Sequence, residues 1–432
     1  MKENFASKIG MILATAGSAV GLGNIWRFPT TAGENGGAAF ILIYLLFTLL
    51  LGVPGMMSEF IVGRHGRCNP VRAYIKAGGR RFSFVGIMGF VSGSVILGFY
   101  SLVAGWCMYY LYASIQGTVL GDSQYVRHHF EEFSSGILVP SLMAVLFVLM
   151  THHIVIRGVR EGIERASKVM MPLLFILLLV LIVASCSLPG AWEGVRFLLH
   201  PDFSLVTPRV AFEALGQSFF SISLGTACLC TYAAYFNKEV NLHRASVQIV
   251  SIDMLIAILA GLVIFPAAFS VGVSPDAGPS LIFITLPGVF QHAFPPMVAY
   301  VVSCLFFCLL TLAALTSTIS LHEIGTSVLC EETRLSRRRA AWCVTLGCSV
   351  IGIISAVSSA AFDSFDQLTS DVMLPLGSLF TTLLVGWVMS PRVVIRQLTS
   401  GGRYPCRRWQ LRTFYLLTRY VCPTLIFLIL IF

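Results

Sequence analysis

The sequence predicts an all-α polytopic membrane protein, an inverted five-plus-five helix repeat with broken helices 1 and 6 and an added eleventh helix. Three observations predict it. Of the 432 residues, 56% are hydrophobic and only 11% charged, with a mean hydropathy of +0.83, a composition suited to lipid rather than water. Apolar stretches long enough to cross about 30 Å of hydrocarbon recur from one end to the other. Two of these stretches, the first and the sixth, are interrupted by residues that spoil a helix.

Taken in order, the spans are read at residues 8–30, 37–62, 84–114, 137–156, 166–187, 208–236, 245–270, 293–328, 338–358, 366–390 and 411–432. No soluble domain or low-complexity segment separates them, so residues 1–432 read as a single transmembrane domain. Its first repeat covers about 8–187, its second about 208–390, and the extra helix about 411–432. The apolar region after Met1 runs into Arg27 and Pro29 without a small-residue cleavage site, so a cleavable signal peptide is not expected.

Orientation follows from the basic residues. Every second connection is basic: Lys2 and Lys8, Arg64 to Arg81, Arg157 to Lys168, Lys238 and Arg244, Arg334 to Arg339, and Arg392 to Arg412 together hold 24 of the 29 Lys and Arg. The N-terminus is therefore expected in the cytoplasm and the C-terminus outside, in the cell's inner (plasma) membrane. The net charge of +9 is then topology, with no nucleic acid as partner; contact with anionic lipid heads is the remaining use of such patches. The twelve cysteines are scattered and mostly within spans, which fits small buried hydrophobes better than a metal or disulfide framework. An enzyme is not expected either: His152, His153, His322 and Glu323 lack any metalloprotease-like spacing.

The first interrupted span is "ATAGSAVGLGNIWRFPTTAGENGG", with Gly17, Gly21, Gly23, Asn24, Arg27 and Pro29 close together. The second is "LGQSFFSISLGTACLCTYAAYF", with Gln217, Ser221, Ser223, Gly225 and Thr226 in mid-span. They are the first and sixth spans, corresponding positions in a five-plus-five repeat, and an odd number per repeat forces inversion. Lipid cannot satisfy free backbone groups, so unwound segments survive only where they line a cavity or hold a ligand. Interrupted spans in matching positions point to a secondary transporter's binding site at the bilayer midplane. Freed carbonyls suit a hard cation, and half-helix N-termini suit a carboxylate. Gly17 and Gly21 alone also read as a helix-packing motif; Arg27, costly in lipid, tips the reading toward function.

"AGSAVGLGNIWRFP…ENGGAAFILIYLLF…GVPGMMSEFIVGRHG" resembles the first two helices of the neurotransmitter:sodium symporter family. "RGVREGIERASKVMMPLLF" resembles the start of that family's fifth helix, "GQSFFSISLG" its sixth and "LAALTSTIS" its eighth. The resemblance spans essentially the whole chain, ends after the family's eleventh helix as in many bacterial members, and implies a monomer or weak homodimer. It implies an inverted-repeat fold and sodium-driven uptake of an amino acid or amine, with two Na+ ions. Ala19, Asn24, Ser221 and a residue of the seventh helix would form the first sodium site with the substrate carboxylate. Gly17, Val20, Ala313, Thr316 and Ser317 would form the second. Hydroxyls bonding back onto their own helix are the simpler account of "ALTSTIS".

Aligned on "AGLVIF", the family's usual asparagine in the seventh helix falls at Asp253. A carboxylate there must be paired, neutralised or bound to a cation, and it is assigned to the first sodium site. In chloride-dependent relatives the anion sits among neutral side chains, here Tyr44, Gln217, Ser221 and Ala257; the nearby charge of Asp253 predicts that chloride is not required. Tyr100 falls where the family's tyrosine holds the substrate carboxylate, near Leu22 and Gly23, and Phe220 would close over the substrate. Arg27 would pair with Asp366 as an outer gate, and Lys2 with Glu331 as an inner latch, with Phe5 where relatives carry tryptophan. Gly162 and Pro172 match the pattern that lets the fifth helix unwind.

Amine-carrying relatives place an acid in the first break, where this chain has Gly21. A substrate with its own carboxylate is thus implied, in a pocket drawn from Ile96, Tyr100, Phe220, Ser223, Thr226, Ser317 and Leu321. The expected cargo is a neutral, hydrophobic or aromatic L-amino acid, imported by alternating access. The competing class is an ion channel or a transport-inactive amino-acid receptor on the same fold.

Overall fold

The computed structural model describes residues 4–119, 121, 123–272 and 281–431. Nine described helices are long and apolar enough to cross a membrane. They are α2 (Ala38–Gly66), α3 (Arg80–Ile115), α4 (Leu138–Val155), α5 (Val159–Cys186), α7 (Leu242–Ser270), α8 (Pro296–Glu332), α9 (Arg337–Val357), α10 (Ser359–Val388) and α11 (Arg408–Ile431). Before them the first span is a pair, α1a (Lys8–Ala19) and α1b (Gly23–Glu34), bent by 54° at its break. The predicted sixth span is likewise two pieces, α6a (Pro208–Ser221) and α6b (Cys228–Ala233), joined by a non-helical turn over 222–227. Breaks fall in the first and sixth segments, where the sequence places them.

Each break has a local cause. In α1 the backbone turns extended at Val20 (φ −73°, ψ 112°), after which Gly21, Gly23 and Asn24 weaken any restart. In α6 three residues have positive φ: Ser223, Gly225 and Ala227. Left-handed backbone costs an L-residue about 1–2 kcal/mol, so Ser223 and Ala227 are held by their surroundings rather than by preference. α1a packs against α5, α7 and α8, while α3 runs along α8 and α9 and α6b lies on α2. The two broken segments therefore sit inside the bundle, where protein groups rather than lipid meet their free amides.

Several boundaries differ from the sequence reading. α5 starts at Val159, with a π-helical turn over Val159–Glu164, rather than at 166. α8 continues to Glu332, and α10 begins at Ser359. In each case a polar extension carries the helix past the apolar core that a hydropathy window detects. Five further helices lie outside the predicted spans: Pro70–Gly78, Ser123–Ser135, Ala191–Leu199, Ile282–Ala293 and Pro391–Leu398. They are too short to span and are stabilised by packing, as where Gly194 meets the backbone of Phe265 and Pro266 in α7.

The α6 break crosses α10 at backbone contact. A Cβ on Gly225 would run into the Leu374 carbonyl, and one on Gly377 would stand 2.5 Å from the Gly225 carbonyl oxygen. Gly225 also has φ +85°. Gly225→Ala is therefore expected to destabilise the protein by about 2–4 kcal/mol, from left-handed strain plus overpacking. Thermal unfolding followed by tryptophan fluorescence checks this, with Gly347→Ala as the neutral comparison because nothing lies within 4 Å of its Cβ position.

Candidate functional site

In a continuous helix the Gly21 and Leu22 amides would bond to the carbonyls of Gly17 and Ser18. Here Gly21 N–H donates to Asn24 Oδ1 (3.1 Å) and Leu22 N–H to the Tyr100 hydroxyl (3.0 Å). The break is thus satisfied without water, and two side chains from the sequence reading do the satisfying. The helix resumes with bonds from the Asn24 and Ile25 amides to the Gly21 carbonyl.

The side chains assigned to the first sodium site meet behind this break. Asn24 Nδ2 donates to Asp253 Oδ1 at 2.7 Å and approaches Ser221 Oγ at 3.1 Å. Ser221 Oγ–H donates to Asp253 Oδ2 at 2.8 Å, and the Tyr44 hydroxyl stands 3.1 Å from Ser221 Oγ and 3.4 Å from Asp253 Oδ2. Asn24, Tyr44 and Asp253 are all 0% exposed. Among the described residues no basic side chain pairs with Asp253. Of the other positions in the chloride comparison, Gln217 donates to the Gly23 carbonyl (3.2 Å) and its Oε1 is buried without a partner; Ala257 is buried in the apolar cluster that includes Tyr44.

The second set also converges. Thr316 Oγ1 lies 3.0 Å from the Val20 carbonyl and 2.8 Å from that of Ala313, and Ser317 Oγ lies 3.1 Å from the Val20 carbonyl. Gly17 faces this cluster, its Cβ position 3.4 Å from Thr316 Cβ. The back-bonding expected of a hydroxyl patch does occur at Thr316, but the same hydroxyl reaches across to α1a. The groups that face one another in the second set are all oxygens, which fits a hard ion. In the first, Asn24 turns its Nδ2 to Asp253 and Ser221 and its Oδ1 to the Gly21 amide.

Between the sets lies a cavity of about 50 Å³. It is bordered by Ala19, Gly21 and Gly23 from the first break, Ile96 and Tyr100 from α3, and Phe220, Ser221, Ser223 and Thr226 around the second break. Ser317 and Leu321 of α8 complete the predicted set. Leu22 is the exception: it borders a second, outer cavity of about 360 Å³ shared with Arg27 and Asp366. Phe220, Gly23 and Tyr100 border both spaces, so the Phe220 ring is the partition.

The structure pairs the gate residues differently from the sequence reading. Arg27 and Asp366 share the outer cavity but form no ion pair. The guanidinium instead lies 4.2 Å from the Phe220 ring centroid, a cation–π arrangement, while Asp366 Oδ1 accepts from Ser370 Oγ at 2.9 Å. The Phe220 ring thus holds the Arg27 guanidinium over the partition rather than at Asp366. Lys2 lies outside the described residues. Its expected partner Glu331 accepts from Asn69 N and Nδ2 at 2.9 and 3.3 Å. Phe5 is 2% exposed and packs edge-on against Tyr232 and Tyr235, closing the face that carries the basic connections. Gly162 lies in the π-turn of α5 and Pro172 within the helix beyond it.

Sequence reasoning missed several buried polar groups. Glu59 of α2 accepts from the Gly225 and Cys230 amides at 2.7 and 3.2 Å, clamping the second break as Asn24 and Tyr100 clamp the first. Glu164 accepts from Ala6 N, Ser7 N and Ser7 Oγ at 2.6, 3.1 and 2.8 Å and pairs with Lys168 at 2.7 Å, tying α5 to the start of α1a. Glu323 pairs with Arg337 at 2.5 Å and accepts from the Tyr235 hydroxyl at 2.7 Å. An acid inside an apolar run was the available signal for Glu59 and Glu323, whereas Glu164 stands among charged neighbours. Ser18, Cys228, Ser320 and Leu374 also border the central cavity, with nothing in their local sequence to single them out.

Comparison with known proteins agrees with this geometry. The sodium:neurotransmitter symporter family model matches residues 2–132 and 122–432. The sodium-dependent transporter YhdH of Bacillus subtilis (strain 168) is 38% identical over 443 residues, covering 98% of this chain and 96% of YhdH. A sodium-dependent transporter of Haemophilus influenzae is 33% identical, covering 90% of each chain. The crystal structure of MhsT in complex with L-phenylalanine matches with a TM-score of 0.91 at 36% identity, over 100% of this chain and 99% of that one. Broken helices, converging oxygens and these relatives agree: this chain is a multi-pass membrane transporter, not an enzyme, and belongs to the sodium:neurotransmitter symporter family.

Proposed function

We propose that this protein imports a neutral, hydrophobic or aromatic L-amino acid together with two Na+ ions. The observation that carries the reading is Asp253, a fully buried carboxylate with no basic partner among the described residues, set beside Asn24 and Ser221. Burying an unpaired charge is costly, and a cation is the chemical answer. Ala19, Asn24, Ser221 and Asp253 would hold one Na+ next to the substrate carboxylate. Gly17, Val20, Ala313, Thr316 and Ser317 would hold the other.

The substrate carboxylate would face the Gly21, Leu22 and Gly23 backbone and the Tyr100 hydroxyl, which takes the Leu22 amide in this structure. The side chain would lie toward Ile96, Phe220, Ser223, Thr226 and Leu321. That MhsT was solved with L-phenylalanine supports an aromatic or large apolar cargo. Sodium at the first site touches the substrate, so each raises the other's affinity by the same factor. Accumulation of substrate against its gradient, dependent on Na+, separates this symporter from a channel or an inactive receptor.

The whole chain acts as one domain, with repeats at about 8–187 and 208–390 and the extra helix at about 411–432. It sits in the plasma membrane as a monomer or weak homodimer, N-terminus in the cytoplasm and C-terminus outside. Phe220 and Arg27 close the outer path, with Arg27 turning to Asp366 as that path changes shape. Lys2 and Glu331 latch the inner side. Unwinding between Gly162 and Pro172 opens it, and because Glu164 holds Ala6 and Ser7, the same movement frees the start of α1a.

Purified protein in vesicles is expected to accumulate at least one of phenylalanine, tyrosine, tryptophan or leucine under an inward Na+ gradient; accumulation of none overturns the substrate class. Replacing chloride with gluconate is expected to leave that uptake unchanged, because Asp253 already supplies the negative charge. Asp253→Asn is expected to weaken the Na+ dependence of substrate binding by about tenfold or more, since ligand charge sets cation affinity. Na+ titrations of binding, run beside Ser317→Ala for the second site, check this.

A further inference from the structure

On the surface that α10 and α11 present to lipid, Arg419 stands in mid-helix with no acidic partner. Its Nε donates to the Gly386 carbonyl at 2.5 Å. Its guanidinium lies 4.8 Å from the Tyr415 ring and 5.5 Å from the Trp387 ring. Trp387 Nε1 in turn donates to the Arg419 carbonyl at 3.2 Å, and Tyr420 packs edge-on against Trp387. This leaves the two terminal nitrogens of Arg419 without a hydrogen bond or ion pair among the described residues. The Tyr415 hydroxyl is also screened from solvent without a partner.

The place is exposed to the membrane: Trp387 is 56% and Tyr420 54% exposed. Gly386 and Trp387 form the last turn of α10 before the basic connection at Pro391–Leu398. Leu374 of the same helix borders the central cavity, so Trp387 lies about 20 Å from it along α10. Arg419, beside Trp387, sits where aromatic side chains mark the edge of the hydrocarbon, although mid-way along α11. On α11, Arg408, Arg412, Tyr415 and Arg419 follow helical spacing, so three arginines lie on one stripe. No Asp or Glu occurs in the sequence after Asp371, so nothing nearby on these helices neutralises them. A positive, aromatic-lined cleft facing lipid at headgroup depth has one fitting occupant class.

We propose that the α10–α11 cleft around Arg419, Trp387 and Tyr415 is a binding site for the phosphate of an anionic phospholipid in the leaflet on the basic face. The fork of the guanidinium matches a phosphate diester in planar, two-point fashion. The two rings and the Gly386 bond fix its plane, so little side-chain freedom is lost on binding. The acyl chains would run over the apolar surface of α10 and α11, including Leu416 and Val388, both exposed.

Native mass spectrometry on the purified full chain, offered an equal mixture of phosphatidylglycerol and phosphatidylcholine, tests the assignment. The wild type is expected to retain phosphatidylglycerol preferentially, and Arg419→Gln to lose that preference roughly tenfold, as removal of a charge-assisted bond implies. Arg419→Lys keeps the charge but not the fork, and is expected to weaken retention several-fold; it decides the matter should the glutamine variant not fold. Arg392→Gln, an exposed arginine off the cleft, is expected to leave the preference intact. Equal retention in wild type and Arg419 variants overturns the site, as does an equal loss in Arg392→Gln, which would mean diffuse attraction. A dimer that Arg419→Gln dissociates, with no lipid preference, would assign the cleft to a second copy of the chain instead.

Discussion

Two hydrogen bonds, Gly21 N–H to Asn24 and Leu22 N–H to Tyr100, hold the break in the first span, and the rest of the structure is arranged around them. Unpaired amides in a bilayer cost several kcal/mol each. A broken span therefore survives only if its neighbours arrive with acceptors at fixed positions. Asn24 comes from the same segment and Tyr100 from α3, so the break binds the first span to a long scaffold helix. Because Asn24 spends its oxygen on Gly21, its amide nitrogen points at Asp253 and Ser221. One side chain thus joins backbone repair to the assembly of the proposed ion site.

The second break follows the same logic with a different acceptor. Glu59 takes two amides, Gly225 and Cys230, and the chain turns through three left-handed residues to present them. Gly225 lies backbone to backbone against α10, so no side chain larger than hydrogen fits at the crossing. Phe220, one turn before, is left at the boundary between two cavities. Its position follows from where α6a is forced to end, and Arg27 over its face joins the two breaks across that boundary.

Much of this was legible in the sequence. Spans, their number and the two interruptions follow from composition and from glycine, proline and polar residues inside apolar runs. The family resemblance, more than any local mark, singled out Asn24, Asp253 and Ser221, which meet in one cluster, and Thr316 and Ser317, which meet Val20 in another. Glu59, Glu164 and Glu323 were visible as acids in or beside apolar helices, but apart from Lys168, one turn from Glu164, their partners are backbone amides or residues distant in the chain. A sequence has no local mark for such an acceptor. The short amphipathic helices such as Ala191–Leu199 were missed because their stability comes from packing on α7 rather than from hydropathy. The expected Arg27–Asp366 pair shows a different limit, since spacing along the chain does not tell that Arg27 lies over Phe220 and Asp366 accepts from Ser370.

The buried charges differ in how each is met. Glu323 has Arg337 and Tyr235, Glu164 has Lys168 and the N-terminal amides, and Glu59 has two amides of the second break. Glu323 and Glu164 thus have a basic partner, whereas Glu59 has only neutral donors, both from the broken backbone of α6. Asp253 has only neutral donors, from Asn24, Ser221 and Tyr44, and Arg419 has only a carbonyl and two ring faces. Neutral hydrogen bonds soften a charge without cancelling it. Asp253 lies in the sealed centre of the bundle and Arg419 at its lipid face, whereas Glu59 and the buried Arg64, also met by neutral groups alone, are tied to fixed backbone of the fold. A mobile cation is the natural complement for Asp253, and an anionic headgroup for Arg419.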